Sequence, residues 1–277
     1  MRLGCSTYSF WHFRGPKEPL LEYIEKAYRH GFEGVEILEE HVESMGPGYL
    51  ARVRREAFDR GLDVYAVAIH NNFVKPSEEE RRKEVEKVAR WIEAAYRLGA
   101  KALRVNSGRW GTVKSFDELM ARRGLEPPLP GYGEDDAFQW AIDSLRRLAP
   151  VAEEHGVVLA VENHWGLTRD AEGLLRIIRG VGSEWVGALL DVGNFIEDTY
   201  RQIEEVAPHT VLVHAKTYYG GGEWYSLDLD YDRIFDVLRG VGYRGWVTLE
   251  YEGRAPPEEG VAESYRLLRK YIRPPGV

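Results

Sequence analysis

Short apolar runs rich in β-branched residues recur along the chain, and each follows an amphipathic segment that ends near a glycine. Runs of this length and composition are typical of strands buried in a parallel sheet. The eight runs cover residues 3–8, 34–38, 64–70, 102–106, 157–163, 186–192, 211–215 and 246–251.

The segments between the runs have the spacing of helices with one buried face. In the first of them Leu20, Ile24 and Ala27 fall on one side, and Gly31 follows as a helix stop. Strands that alternate with helices predict βαβ units and a parallel sheet. Eight units without a change in composition predict one α/β domain over residues 1–277, a single (β/α)8 TIM barrel. An open doubly wound sheet is disfavoured, because no GxGxxG motif follows the first run.

Two connections are much longer than the others. They cover about residues 107–134, after the fourth run, and 216–230, after the seventh. Both follow strands, so they leave the barrel at the end where the carboxyl termini of the strands lie. Loops of this length commonly act as lids or binding loops. We expect them to cover a cleft, with inert insertions as the alternative.

Composition excludes several classes of protein. The 277 residues are 44% hydrophobic and 30% charged, with a formal net charge of −8, which disfavours a nucleic-acid partner. No stretch approaches the roughly 18 apolar residues that span a membrane. The single cysteine, Cys5, allows neither an internal disulfide nor a zinc site built on cysteines. With an N-terminus that lacks the pattern of a secretion signal, these features predict a cytoplasmic protein.

Polar side chains stand at or just beyond the ends of the predicted strands, where barrel enzymes place their active sites. These residues are His70, Asn106, Glu162, His164, Asp191, His214, Lys216 and Glu250. A carboxylate at the end of a buried strand is costly unless a cation or hydrogen bonds compensate its charge. Several such groups at one end of a barrel therefore predict a shared cation.

Glu162, Asp191, His214 and Glu250 together supply three carboxylates and one imidazole. This donor set suits one divalent ion, Mn²⁺, Mg²⁺ or Co²⁺, with Zn²⁺ as a further option. Taken singly, Asp191 could cap a turn, His214 could be a core histidine and either glutamate could pair with an arginine. Glu252 has the same strand parity as Glu250 and competes with it for the last ligand position. Glu252 lies one step further into the loop, which favours Glu250.

Aromatic residues crowd the predicted mouth, among them Trp11 after the first run and Trp165 after the fifth. Aromatic faces pack against the C–H faces of sugar rings, so we expect a small carbohydrate as the substrate. Few basic residues lie nearby, which favours an unphosphorylated sugar. The expected substrate contacts are His70, Asn106, His164, Lys216, Trp11 and Trp165.

The segments VENHWG, LDVGN, VHAK and LEYEG, in this order, resemble the sugar phosphate isomerase/epimerase superfamily of xylose-isomerase-like TIM barrels. The resemblance implies that Glu162, Asp191, His214 and Glu250 bind one divalent ion. It also implies that Glu162 and Glu250 are the catalytic acid/base pair of a metal-dependent isomerase or epimerase acting through a metal-stabilised enediolate. A lyase or dehydratase using the same site, or a barrel that binds a sugar or partner without turnover, are the alternatives. A homo-oligomer is left open.

The sequence departs from the DNA-cleaving branch of this superfamily. That branch holds three metals and needs histidines where this chain has Asn106 and Asn194, and no histidine occurs in residues 228–230 to complete a third ligand pair. An amide is a weak ligand for transition metals beside imidazole. We therefore expect no activity on DNA.

Overall fold

The structure is a computed structural model that describes residues 1–272. Eight parallel strands pair in sequence order, and the first pairs with the last, so the sheet closes into a barrel. This confirms the predicted (β/α)8 fold. The strands are β1 Arg2–Ser6, β2 Gly34–Leu38, β3 Asp63–Ala68, β4 Ala102–Val105, β5 Val158–Glu162, β6 Val186–Asp191, β7 Thr210–Thr217 and β8 Trp246–Tyr251.

Helices connect successive strands and cover the outside of the barrel. They are α1 Leu20–Arg29, α2 Pro47–Asp59, α3 Glu78–Leu98, α4 Phe116–Ala121, α5 Glu134–His155, α6 Ala171–Val181, α7 Thr199–Val206, α8 Tyr231–Gly240 and α9 Pro257–Arg269. The short α4 lies inside the long connection between β4 and α5. Within the described part of the chain, no helix has both the length and the apolar character to cross a membrane.

Helix α3 shows how local sequence sets the helix boundaries. The Ser77 side chain accepts a hydrogen bond from the Glu80 backbone N–H and so caps the first turn. Gly99 ends the helix with a φ of 90°, a left-handed conformation that glycine adopts without steric cost. Gly31 has a φ of 82° just beyond α1, as the sequence predicts.

Tyr65 lies in the lower interior of the barrel as part of an apolar layer. The layer also contains Ala66, Ala160, Leu189 and Leu212. Tyr65 stacks on Trp246 with 4.1 Å between ring centroids, and its hydroxyl donates to Thr248 Oγ1 at 2.8 Å. Gly4 and Gly34 face this ring, and a Cβ atom at either position would collide with it. The two glycines therefore leave the space that the tyrosine occupies.

Alternation along the strands places polar groups directly above this apolar layer, because residues two apart on a strand face the same side. Each polar residue stands two positions after a smaller or apolar one inside the barrel. The pairs are Ala160 and Glu162, Leu189 and Asp191, Leu212 and His214, and Thr248 and Glu250, all of them buried.

Candidate functional site

Four buried side chains converge near the carboxyl-terminal end of the barrel. Glu162 and Asp191 end β5 and β6, and His214 and Glu250 lie within β7 and β8. One nitrogen or oxygen atom from each lies within 4.8 Å of the corresponding atom of every other. The fold thus brings together the four residues that the sequence singles out.

The Nδ1 atom of His214 faces the three carboxylates but makes no hydrogen bond with them. His214 Nδ1 lies 3.7 Å from Glu162 Oε1, 3.9 Å from Asp191 Oδ2 and 3.6 Å from Glu250 Oε1. Neither His214 Nδ1 nor Asp191 Oδ2 has a hydrogen-bond partner among residues 1–272, although both atoms are buried. Ligands at about 2.0–2.2 Å from one ion stand about 3–4 Å apart, so the spacing suits a shared cation. The cluster can hold one metal ion.

A fourth buried carboxylate, that of Glu36, orients His214. Glu36, on β2, places its Oε2 at 2.9 Å from His214 Nε2, so the opposite ring nitrogen faces the cluster. Burial lowers the pKa of His214, but the carboxylates of Glu36 and Glu250 outweigh it and raise the pKa well above the usual value. A site that attracts a proton this strongly also attracts a metal cation.

The balance of buried charge also favours a bound cation. Five acidic side chains are buried here, and the buried basic groups beside them are one arginine, one lysine and one imidazole. The acidic residues are Glu36, Glu162, Asp191, Glu250 and Glu252, and the basic ones are Arg104 and Lys216. Uncompensated charge in a dry interior is costly, so an additional cation stabilises the site.

Arg104 is the partner of Glu162. Its Nε lies 3.2 Å from Glu162 Oε2, and its Nη1 donates to the Ile69 carbonyl at 2.8 Å and to Asn106 Oδ1 at 3.2 Å. Burial raises the pKa of Glu162, but the Arg104 guanidinium and the nearby imidazoles outweigh it and hold that pKa well below its usual range. Glu162 is therefore ionised.

The contacts of Lys216 show which of Glu250 and Glu252, the two candidates for the metal ligand near the end of β8, is free to bind an ion. Its Nζ donates to Glu252 Oε1 at 2.8 Å, and Tyr8 donates to the same oxygen at 3.3 Å. Lys216 also lies 3.4 Å from Glu250 Oε2 and 3.5 Å from Asp191 Oδ2. Glu252 is thus held by other side chains, while Glu250 has an oxygen free to face the cluster.

A cavity of about 330 Å³ opens directly above the cluster. Glu162 and Glu250 form part of its wall, whereas Asp191 and His214 lie beneath its floor. Five of the six residues expected to contact substrate line it: His70, Asn106, His164, Trp165 and Lys216.

Trp11 lies outside the cavity. It packs on His41, with 5.2 Å between ring centroids, and its Nε1 donates to the Gly15 carbonyl. Phe13, two residues later, lines the cavity instead. The chain has left-handed φ values of 53° and 58° at His12 and Phe13, and this turn directs Phe13 rather than Trp11 to the cavity.

The two long connections meet above the cavity. Phe116, in the connection after β4, lies 4.4 Å from Trp224, in the connection after β7, and 4.9 Å from Trp165, measured between ring centroids. All three rings line the cavity. We call these three rings the aromatic wall, and we call the cluster of Glu162, Asp191, His214 and Glu250 the charged floor.

A family model described as a xylose isomerase-like TIM barrel matches residues 24–271. The chain belongs to this family. The match confirms the resemblance seen in the sequence motifs and covers nearly all of the barrel.

Solved structures with the same fold include several sugar epimerases. A D-psicose 3-epimerase crystallised in the presence of D-fructose is 18% identical, with 98% of this chain and 99% of that chain covered and a TM-score of 0.78. The 3-keto-D-glucoside 4-epimerase YcjR from E. coli is 22% identical over 98% and 99%, with a TM-score of 0.77. An L-ribulose 3-epimerase is 18% identical over 100% and 99%, with a TM-score of 0.72. No curated protein matches the chain by sequence.

Two residues of the site in this xylose isomerase-like barrel were not predicted from the sequence. Glu36 and Arg104 both belong to the site, but they lie within strands rather than at their ends. Each is a charged residue inside an apolar run, GVEIL for Glu36 and ALRV for Arg104. That signal was available, since a charge in the middle of a buried strand requires a partner.

His70 belongs to a second group of acidic and imidazole side chains at the rim. Its Nδ1 lies 2.9 Å from Glu40 Oε1, and Glu39 is close by. The Lys87 ammonium lies 3.1 Å from Glu39 Oε2 and supplies the compensating positive charge. This group is therefore an ion-paired part of the cavity rim.

Proposed function

We propose that this protein is a divalent-metal-dependent isomerase or epimerase that acts on a small, unphosphorylated keto-sugar or related polyol. The observation that carries the proposal is the convergence of Glu162, Asp191, His214 and Glu250 at a cavity. Two buried candidate ligand atoms, His214 Nδ1 and Asp191 Oδ2, have no hydrogen-bond partner within the described part of the chain. The epimerases of similar fold support the same reaction class.

Glu162, Asp191, His214 and Glu250 are the residues that would hold the ion. Three oxygen donors and one nitrogen favour Mn²⁺, Mg²⁺ or Co²⁺, and Zn²⁺ also accepts such a set. When bound, the ion supplies a Lewis acid that stabilises negative charge on the substrate oxygens after a proton is lost next to the carbonyl.

The two glutamates are the acid/base pair in this proposal. Both line the cavity from different strands, β5 and β8, so a substrate between them exposes opposite faces to the two carboxylates. Glu162, held ionised beside Arg104, accepts the proton from the carbon next to the carbonyl. Inversion requires that Glu250 first takes a proton from solvent. Glu250 then gives that proton to the other face of the carbon and is left as a carboxylate, while Glu162 keeps the proton that it removed and loses it to solvent after turnover. If Glu162 instead returns its proton to the adjacent carbon, the sugar is isomerised.

The cavity wall supports a neutral carbohydrate as the substrate. Arg109 is bound to Glu126 Oε1 at 2.7 Å, and the deeper Arg104 and Lys216 are paired with carboxylates. Each cation that lines the cavity is thus already neutralised, which disfavours a phosphate group. Asn106, His164, His70 and Lys216 contribute polar contacts, and Trp165 packs on the sugar with Phe13 in the place expected for Trp11.

We also propose a cytoplasmic location. Cys5 is the single cysteine of the sequence, and it is buried in the barrel. The fold therefore relies on packing rather than disulfides, as is usual in a reducing compartment.

Solvent deuterium uptake tests the reaction class. Purified protein loaded with Mn²⁺ is incubated with a panel of keto-sugars in deuterated water, and exchange next to the carbonyl is followed by NMR and mass spectrometry. We expect exchange with wild-type protein, and a loss of at least about 100-fold in Glu162→Gln and in Glu250→Gln, the usual scale for removing an acid/base group. Glu56→Gln on the outer helix α2 is the matched control.

The products separate the alternatives. An epimer or isomer carrying deuterium supports the proposal, whereas an unsaturated or dehydrated product identifies a lyase. Exchange that both glutamine variants retain in full, or binding of a sugar without exchange, contradicts the acid/base assignment.

A further inference from the structure

The two proposed acid/base glutamates divide their oxygens in the same way. Glu162 Oε1 and Glu250 Oε1 face His214 Nδ1 at 3.7 and 3.6 Å. The second oxygen of each faces a buried cation: Glu162 Oε2 lies 3.2 Å from Arg104 Nε, and Glu250 Oε2 lies 3.4 Å from Lys216 Nζ. Each carboxylate therefore has one oxygen towards the ligand cluster and one towards a side-chain cation.

Both cations are anchored independently of the glutamates that they face. Arg104 is fixed by the Ile69 carbonyl and by Asn106, and it is only 4% exposed. Lys216 is also 4% exposed and donates to Glu252 at 2.8 Å. Since other partners fix both cations, they can hold the two carboxylates in place rather than follow them.

The number of oxygens that a carboxylate offers determines how many positions of an ion remain open. A carboxylate binds a divalent ion through one oxygen or through both, and an ion such as Mg²⁺ takes about six ligands. If both glutamates used both oxygens, together with Asp191 and His214 they would fill all six positions. A catalytic ion must keep open positions for the substrate.

We propose that Arg104 and Lys216 are positioning residues that restrict Glu162 and Glu250 to one oxygen each at the metal site. This inference rests on the proposed function, because it assumes that the four-residue cluster binds the ion. In this proposal the two buried cations keep two coordination positions of the ion free, and two neighbouring oxygens of a keto-sugar can occupy them.

The variants Arg104→Met and Lys216→Met remove each cation and keep an apolar side chain in its place. Two changes are expected on Mn²⁺ binding. The affinity for Mn²⁺ should increase by about tenfold, because each variant removes a positive charge beside the ion and frees a carboxylate oxygen to bind it. Calorimetric titration measures this affinity. The released oxygen also displaces a water from Mn²⁺, so the enhancement of water proton relaxation falls by roughly half in each variant.

Two further variants serve as controls. Arg104→Lys retains a cation and should keep a relaxation enhancement close to that of the wild type, which separates charge from packing. Arg60→Met removes a partly buried arginine that pairs with Glu25 and Glu56 on the outer helices, and it should change neither measurement. Circular dichroism establishes that each variant is folded, and Lys216→Met provides the same test if Arg104→Met does not fold.

The outcomes distinguish this inference from the proposed function. Wild-type protein that binds no Mn²⁺ contradicts both. Wild-type binding with an unchanged relaxation enhancement, or with weaker Mn²⁺ affinity, in both methionine variants overturns the positioning role and leaves the metal site intact.

Discussion

Glu36 Oε2 lies 2.9 Å from His214 Nε2, and both side chains are inaccessible to solvent. The two residues are 178 positions apart and come from β2 and β7, which are not neighbours in the barrel. Their contact crosses the interior and fixes which nitrogen of the imidazole faces the three carboxylates. Carboxylates in this position commonly orient histidines that bind metals.

The contact predicts a strong effect of Glu36 on metal binding. Glu36→Gln should weaken Mn²⁺ binding by about 10- to 100-fold, because an amide holds the ring less firmly and makes it a poorer ligand. Calorimetric titration measures the affinity directly. Glu56→Gln on α2 is the control, and equal affinities in wild-type and Glu36→Gln protein contradict the role of this contact.

The aromatic wall predicts an effect on substrate affinity. Trp224 is 43% exposed and contacts Phe116 across the two long connections, so it has little part in the core. Trp224→Ala should raise KM by about 3- to 10-fold with a smaller change in kcat, since a stacking face is lost while the charged floor is intact. Steady-state kinetics on the keto-sugar identified by deuterium uptake test this.

Phe58→Ala on α2 is the matched control for Trp224→Ala, because Phe58 is 75% exposed and lies outside the cavity. It should leave KM unchanged. A drop in kcat with unchanged KM in Trp224→Ala would show that this ring acts on the chemical step instead of on binding.

The close approach of Gly4 to the Tyr65 ring predicts that substitutions at these two positions affect each other. Gly4→Ala should destabilise the protein by about 1–3 kcal/mol, because the added methyl group meets the Tyr65 ring in a packed interior. Urea denaturation measures the free energy of unfolding. In the double variant with Tyr65→Leu, the cost of the alanine should shrink, and strictly additive costs contradict the steric explanation.

A buried histidine predicts loss of stability in acid. Burial lowers the pKa of His41 from 6.5 to about 4, while its ring stacks on Tyr23 and bonds to Thr7 Oγ1 at 2.9 Å. The unfolded chain binds the proton more tightly than the fold does, so stability present above pH 6.5 is lost as the pH falls towards 4. The loss amounts to about 2 kcal/mol at pH 5.

Urea denaturation at pH 8 and pH 5 measures this contribution of His41. His41→Gln lacks the titrating ring, so its stability should fall between the two pH values by about 2 kcal/mol less than that of the wild type. The remaining titratable groups are common to both proteins and cancel in the comparison. Parallel losses in the two proteins would assign the acid sensitivity to other residues.

The amino-acid sequence by itself determined the barrel and the candidate residues of the cluster, with Glu250 favoured over Glu252 for the last position. Eight apolar runs separated by helical segments predict a closed parallel sheet, and every strand of that sheet points its carboxyl end to one rim. Alternation then places Glu162, Asp191, His214 and Glu250 inside that rim. These features repeat over a few residues, so they are visible in the chain without any knowledge of distant contacts.

Only the tertiary structure decided how the charges pair across the interior. Glu250 and Glu252 have the same parity, and contacts of Glu252 with Lys216 and Tyr8 separate their roles. The pairing of Glu36 with His214 likewise joins distant strands. Such contacts depend on barrel closure and strand register, which a local pattern does not contain because they arise when residues far apart in sequence meet.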